Sequence, residues 1–163
     1  SAGVSVGDFD MVKNVLAAEG EMQFWQVAIK PGKPLAFGLL HHRQGGVEAR
    51  VPLIGLPGNP VAALVCALVF ARPALSVLAG GGWEEAQWFT VPAAFAKRKK
   101  PGRREYLRAR LDAEGRAEVF ASEGSGRIGG LVWATGLVEL PDGAAEIAPG
   151  TPVRYLPYAS FGL

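Results

Sequence analysis

One cysteine occurs in 163 residues, the only two histidines are adjacent, and the net charge is only +2. A lone Cys66 cannot close an internal disulfide, which points to a reducing, cytoplasmic setting. Set in an apolar stretch, it reads as a small core residue and not as a reactive thiol. His41 and His42 have no cysteine or carboxylate at ligand spacing, so they read as surface residues. The sequence has no Ser-His-Asp logic and no P-loop lysine motif, which argues against a strong nucleophile. So small a net charge does not by itself imply a nucleic-acid partner. No secretory leader stands at SAGVSVGDFD, and there is no internal repeat or low-complexity tract. The one candidate membrane segment is Val61 to Ala79, and its uncharged run from Val61 stops at Arg72-Pro73. That is short of the ~18 apolar residues of a membrane span, so the run reads as a core helix kinked or broken near Pro73, with no membrane partner. The sequence lacks an initiating methionine and opens in a glycine-rich loop, which reads as a fragment.

With 49% hydrophobic and 20% charged residues the chain is expected to fold. Asp8 is placed to cap a helix running to about Glu19, with Gly20 as its stop. A strand is expected at Met22 to Ile29, then the rigid turn Lys30-Pro31-Gly32-Lys33-Pro34, then a strand at Leu35 to Leu40. His41 to Arg50 reads as a hairpin or loop of open shape. Val51 to Leu56 is a buried strand feeding the turn Pro57-Gly58-Asn59-Pro60, with Asn59 as N-cap and Pro60 as first residue of the apolar helix. This order suggests an α/β layered domain over residues 1–82, ending at Gly80-Gly81-Gly82. Residues 83–163 then read as a small all-β barrel or sandwich. Its strands are expected at Trp88 to Phe95, Glu105 to Leu111, Ala117 to Ala121, Gly136 to Leu140 and Thr151 to Leu156. Under 80 residues, this part should lean on the first domain. Leu107, Ala109 and Leu111 alternate with Arg108 and Arg110, a half-buried strand with a basic outer face.

Several motifs could hold an anion. Gly3-Val4-Ser5-Val6-Gly7-Asp8-Phe9-Asp10 puts glycines, a hydroxyl and two carboxylates at a helix start. Glycines let a phosphate approach the backbone, and the carboxylates suit a bridging divalent cation. A lone glycine-rich loop is a weak signal. Lys30 and Lys33 flank a stiff turn and make an oxyanion clamp of two point charges; the plain alternative is a solvated turn. The free amides expected at the helix start after Asn59 attract anions too. The run Lys97-Arg98-Lys99-Lys100-Pro101-Gly102-Arg103-Arg104 reads mainly as a solvated loop, from which Arg103, or Arg108 beyond it, could reach an anion in a cleft between domains. Glu123-Gly124-Ser125-Gly126-Arg127 could close the same cleft or be an ordinary turn. The chemistry these residues support is the positioning of anions with help from a metal.

GVSVGDFD, KPGKP followed by LAFG, and GLPGNPVAAL occur in that order and at that spacing. Together with PGRREYLRARL and EGSGRIGGLVWATGLVELP they resemble the molybdopterin molybdenumtransferases, the MoeA family, related to the gephyrin E domain. The resemblance covers almost the whole chain. It implies the latter half of a molybdopterin-binding α/β domain followed by the family's small β-barrel domain. It also implies insertion of molybdate into adenylylated molybdopterin, with release of AMP and with Mg2+ present. On it, Gly3, Ser5, Gly7, Asp8, Pro57, Gly58, Asn59 and Pro60 would face ligand, with Arg103 and Ser125 across the cleft. Asp10, Lys30 and Lys33 would be the functional residues, and Asp8 and Asp10 the metal ligands. A homodimer is implied for the complete protein, with no nucleic acid and no membrane. Ala2 departs from a usual glycine pair, and Gln26 from a lysine of some members. The upstream domains of the family are absent, so this chain by itself is expected to be inactive. The alternatives are the adenylyl-transfer step on molybdopterin, which the β domain argues against, and a gephyrin-like scaffold module. RNA binding by the basic run stands behind both.

Overall fold

The computed structural model describes residues 11–44, 46–122 and 128–163. Helix α1, Met11–Glu19, buries Leu16 against Gly38, where a side chain would meet the leucine at 2.6 Å. The helix passes directly into strand β1, Gly20–Gln26. Gly20 is more than a stop signal, because a Cβ there would lie 2.3 Å from the Leu39 carbonyl oxygen.

The single strand expected to run from Met22 to Ile29 is divided. After β1 the chain leaves its sheet, and Ile29–Lys30 forms β2 in a different one. The local cause is visible in the backbone: the Val27 N–H donates to Lys33 O across the turn, and Ala28 O accepts from Arg104 N–H. Strands β3, Pro34–Gln44, and β4, Val47–Gly55, form one hairpin, with His41 opposite Arg50 and His42 opposite Ala49. The polar stretch expected as a hairpin or loop is therefore part of this hairpin. The first sheet is antiparallel in the order β1-β3-β4.

Helix α2 runs from Pro60 to Leu78 without a break. Instead of kinking apart at Pro73 it widens to a π turn over Ala67–Ala71, and the Arg72 N–H bonds to Ala67 O. A proline has no N–H and its ring crowds the carbonyl four residues back; the wider turn absorbs both. This corrects the expected break: at 19 residues α2 is long and apolar enough to cross a membrane by length and composition. In this chain it buries Val65, Cys66 and Leu68 in a core shared with Tyr106, Leu137, Leu156 and Phe161 of the β portion.

The β portion contains β5, Phe89–Pro92; β6, Lys97–Lys99; β7, Arg104–Leu111; β8, Ala117–Val119; β9, Gly136–Leu140; β10, Ala145–Ile147; and β11, Pro152–Pro157. The sheet runs β2-β7-β9-β11-β5, with β8 also on β7. A bridge between Ala93, just past β5, and Ala117 of β8 brings the last strand back to the first, so the sheet closes as a small barrel. Its interior holds Ala93, Ala109, Ala117, Val138, Leu140, Val153 and Tyr155. Residues alternate on each strand, so β9 turns Val138 inward and Leu137 toward α2.

Three readings change here. The basic run is structural more than solvated. Lys97–Lys99 is a strand paired with β10, Lys99 is only 3% exposed and donates to the carbonyls of Lys100 and Gly143, and Arg104 pairs with Glu139 and Asp142. The outer face of β7 is basic, and Arg110 is exposed on it, but its Arg108 is not. Arg108 is covered by Phe120 and the short helix α3, Gly129–Trp133, whereas Leu111, expected inside, is exposed at the barrel end. The β portion does not merely lean on the α/β portion, for β2 is a strand of its sheet.

Candidate functional site

The edge of β7 is paired at its start with β2, in parallel, and at its end with β8, antiparallel. A cavity of about 760 Å3 opens on the stretch between, from Tyr106 to Arg108. Two turns from the α/β portion form its other wall, Lys30 to Pro34 and Pro57 to Asn59.

The Lys30–Pro34 turn is held from beneath. Gly32 sits at φ +119°, and a Cβ there would lie 2.5 Å from Cys66 Sγ and 2.9 Å from the Ile29 side chain. Only glycine fits, because both the backbone conformation and the close approach to α2 demand it. The Cys66 thiol donates to Gly32 O at 3.6 Å. Burial pushes that thiol up to about 12, so it stays protonated. The turn leaves Lys33 exposed and Lys30 half-buried.

The second turn is the N-terminus of α2. Asn59 Oδ1 accepts from the Val61 and Ala62 N–H groups at 3.1 and 3.3 Å, and Asn59 O accepts from Ala63 N–H. This is the expected cap. It also corrects an expectation: Pro60 has no N–H and the next three amides are already bonded, so this helix start offers no free amide to an anion. Pro57, Gly58 and Asn59 line the cavity, while Pro60 is outside its lining.

From the β portion come Lys97, Arg103 and Arg108. Arg103 is exposed, whereas Arg108 is 5% exposed, donates to Ser122 O and has its guanidinium 4.9 Å from the Phe120 ring centroid. Burial lowers the Arg108 pKa from its ordinary value; an arginine remains cationic there. Gly130 of α3 lies close over the same guanidinium, where a Cβ would be 2.6 Å from Nη1. Lys97 Nζ pairs with Glu105 Oε2 at 3.3 Å, and Lys30 Nζ stands 3.7 Å from Glu105 Oε1.

The cavity therefore collects five cationic side chains, Lys30, Lys33, Lys97, Arg103 and Arg108, from distant parts of the chain. Gly3, Ser5, Gly7, Asp8, Asp10 and Ser125 lie outside the described residues. Lys97 was missed because a basic run reads as solvent-facing, and no local signal marks a lysine that a distant glutamate will claim. Arg108, expected with Arg103 to be able to reach an anion in the cleft, does line the cavity.

Residues 90–158 match the family described as "MoeA C-terminal region (domain IV)", and residues 1–77 match the "Probable molybdopterin binding domain". The chain belongs to the MoeA family. It is 33% identical over 163 residues to a molybdopterin molybdenumtransferase of Haemophilus influenzae, covering 97% of this chain and 38% of that protein. Against a molybdopterin molybdenumtransferase of Synechococcus elongatus it is 36% identical, covering 94% of this chain and 36% of the relative. Gephyrin of Dictyostelium discoideum is 30% identical over 94% of this chain, which spans 24% of that protein. The crystal structure of a molybdopterin biosynthesis MoeA protein from Pyrococcus horikoshii superposes with a TM-score of 0.72 at 25% identity, over 91% of this chain and 35% of that one. The fold is thus that of a MoeA protein: part of a molybdopterin-binding α/β domain followed by the MoeA C-terminal β domain. The chain spans little more than a third of the molybdenumtransferases it matches.

Proposed function

We propose that this MoeA-family chain forms the oxyanion and pterin pocket of a molybdopterin molybdenumtransferase, which inserts molybdate into adenylylated molybdopterin and releases AMP. One observation carries the reading: lysines and arginines from both portions line a single cavity. Both substrates are anions, and bringing them together is opposed by their mutual repulsion. Fixed ammonium and guanidinium groups in a partly dry cavity offset that repulsion and hold the reactants in register. Lys30 and Lys33 act as point charges toward molybdate. Arg108, held by Ser122 O and Phe120, presents a planar fork suited to a phosphate. Pro57, Gly58 and Asn59 shape the wall on which the pterin lies, and Arg103 reaches across from the β portion.

Mg2+ would be held by Asp8 and Asp10, with Gly3, Ser5 and Gly7 toward the phosphate and Ser125 closing the far side. Among the described residues no group of three or more His, Cys, Asp or Glu side chains could hold a metal. The described lining is cationic and does not fit Mg2+, so no step is assigned to it. The complete protein is proposed to be a cytoplasmic homodimer. Leu75, Val77 and Leu78 at the exposed end of α2 are apolar surface that a second copy or further chain would cover. The 163 residues alone are proposed to bind ligand without completing transfer.

The test uses the complete protein. Lys30→Ala should weaken molybdate use more than pterin binding, and Asp10→Ala should abolish insertion while the fold persists. An equal loss of molybdate and pterin in Lys30→Ala, or unchanged insertion in Asp10→Ala, would overturn the assignment.

A further inference from the structure

Glu105 is 8% exposed and stands at the seam between the two portions. It is the register partner of Lys30 in the parallel β2–β7 pair. Its two oxygens reach two different lysines, Oε1 to Lys30 Nζ at 3.7 Å and Oε2 to Lys97 Nζ at 3.3 Å. Lys30 belongs to the α/β portion and Lys97 to the β portion, and both line the cavity whereas Glu105 does not. The side chains of Glu105 and Lys97 are 11% and 13% exposed, so water screens this pair weakly.

We propose that Glu105 is a positioning residue of the oxyanion cavity: its carboxylate bridges Lys30 and Lys97 and sets where both ammonium groups meet the bound anion. The inference rests on the reading that the cavity takes molybdate. Two like charges left alone separate, and long lysine side chains have many rotamers in which to do so. A carboxylate between them removes the repulsion and selects one arrangement before the anion arrives, which lowers the ordering cost of binding. Lys97 thereby becomes a site cation, and one carboxylate links a lysine of the cationic turn to a lysine of the β portion.

The alternative is that Glu105 merely offsets positive charge, and the two ideas predict opposite signs. A simple countercharge opposes anion binding, so Glu105→Gln would tighten molybdate. Positioning predicts that Glu105→Gln weakens molybdate binding by about fivefold, a coupling usual for groups in direct contact. Glu105→Asp keeps the charge but cannot span both lysines, and should weaken binding similarly; it carries the test if Glu105→Gln does not fold. In a Lys97→Met background the Glu105→Gln effect should shrink to under about twofold. Calorimetry with sodium molybdate reads all three, with thermal unfolding as the fold control. Tighter or unchanged binding in Glu105→Gln, unchanged binding in Glu105→Asp, or an undiminished effect in the Lys97→Met background overturns the proposal. A second arm needs no ligand. The side-chain ammonium signals of Lys30 and Lys97 in 15N NMR should both move in Glu105→Asp, and movement of one or neither overturns the bridge. Were the wild type to bind no molybdate, the functional reading would fall and the NMR arm would decide the positioning alone.

Discussion

The thiol of Cys66, in the middle of α2, donates to the carbonyl oxygen of Gly32 at the apex of the cationic turn. The turn that carries Lys30 and Lys33 is thus seated directly on the core helix.

Gly32→Ala forces a Cβ into the space of Cys66 Sγ at a backbone angle of +119°. The backbone term alone costs about 1–3 kcal/mol. The turn should lift from α2, so both denaturant stability and molybdate affinity should fall. Adding Cys66→Ala removes the clash with sulfur but not the 2.9 Å approach to Ile29, and should recover some stability but not all. Full recovery would mean that the backbone angle is not strained.

Stability should decline in alkali. The folded-state pKa of Cys66 is raised from 9.0 to about 12, and that of Tyr106 from 10.0 to about 12, in both cases chiefly by burial. Below about pH 8 both groups are almost wholly protonated in the folded and unfolded chain and contribute no slope. From there to about pH 12 the unfolded chain releases protons that the folded one retains, so stability falls as pH rises. Cys66→Ala should flatten the lower part of that decline in urea titrations. An equally steep decline in Cys66→Ala would remove the thiol from the explanation.

Asn59→Ala removes the acceptor of the Val61 and Ala62 N–H groups. It should cost about 1 kcal/mol, the usual worth of such a cap. The freed amides would then face the cavity mouth. Molybdate affinity should therefore fall by less than stability does, as equilibrium unfolding and calorimetry on one preparation can show.

Arg108→Lys keeps the charge and loses the fork that meets Ser122 O and lies against Phe120. We expect a loss of about tenfold in binding of a phosphate-bearing ligand, with AMP as the probe. Arg103→Lys, at an exposed position, should cost under about threefold. Equal losses at the two positions would contradict the difference in their settings.

Glu139 accepts from Arg104 Nη1 at 2.9 Å and pairs with Arg154 Nη1 at 3.0 Å, and Arg154 lies over Trp88 at 4.2 Å. The carboxylate is buried, but both arginines are about 40% exposed. Glu139→Gln should therefore cost about 1–2 kcal/mol, less than breaking a fully buried pair. A loss near 4 kcal/mol would show that water does not reach the arginines.

The elements that local chemistry controls were legible. The Asn59 cap, the Pro60 start and strand β9 follow from short-range rules about amides, φ angles and alternation. The two cavity-lining turns could be named because glycine and proline mark them. Pro73 was misread, since a local rule forbids the α-helical bond but says nothing of a π turn that avoids it.

What the sequence by itself determined is which residues can turn, cap and carry charge, and, through ordered motifs, the family to which the chain belongs. Tertiary structure decided which charges meet. Lys30 and Glu105 become neighbours because the chain leaves the sheet of β1 and β2 lies parallel on β7, and Lys97 joins them from β6, which pairs with β10. Such encounters depend on strand register between remote segments. The free energy that selects a register is summed over a whole core, so no single stretch of sequence contains it.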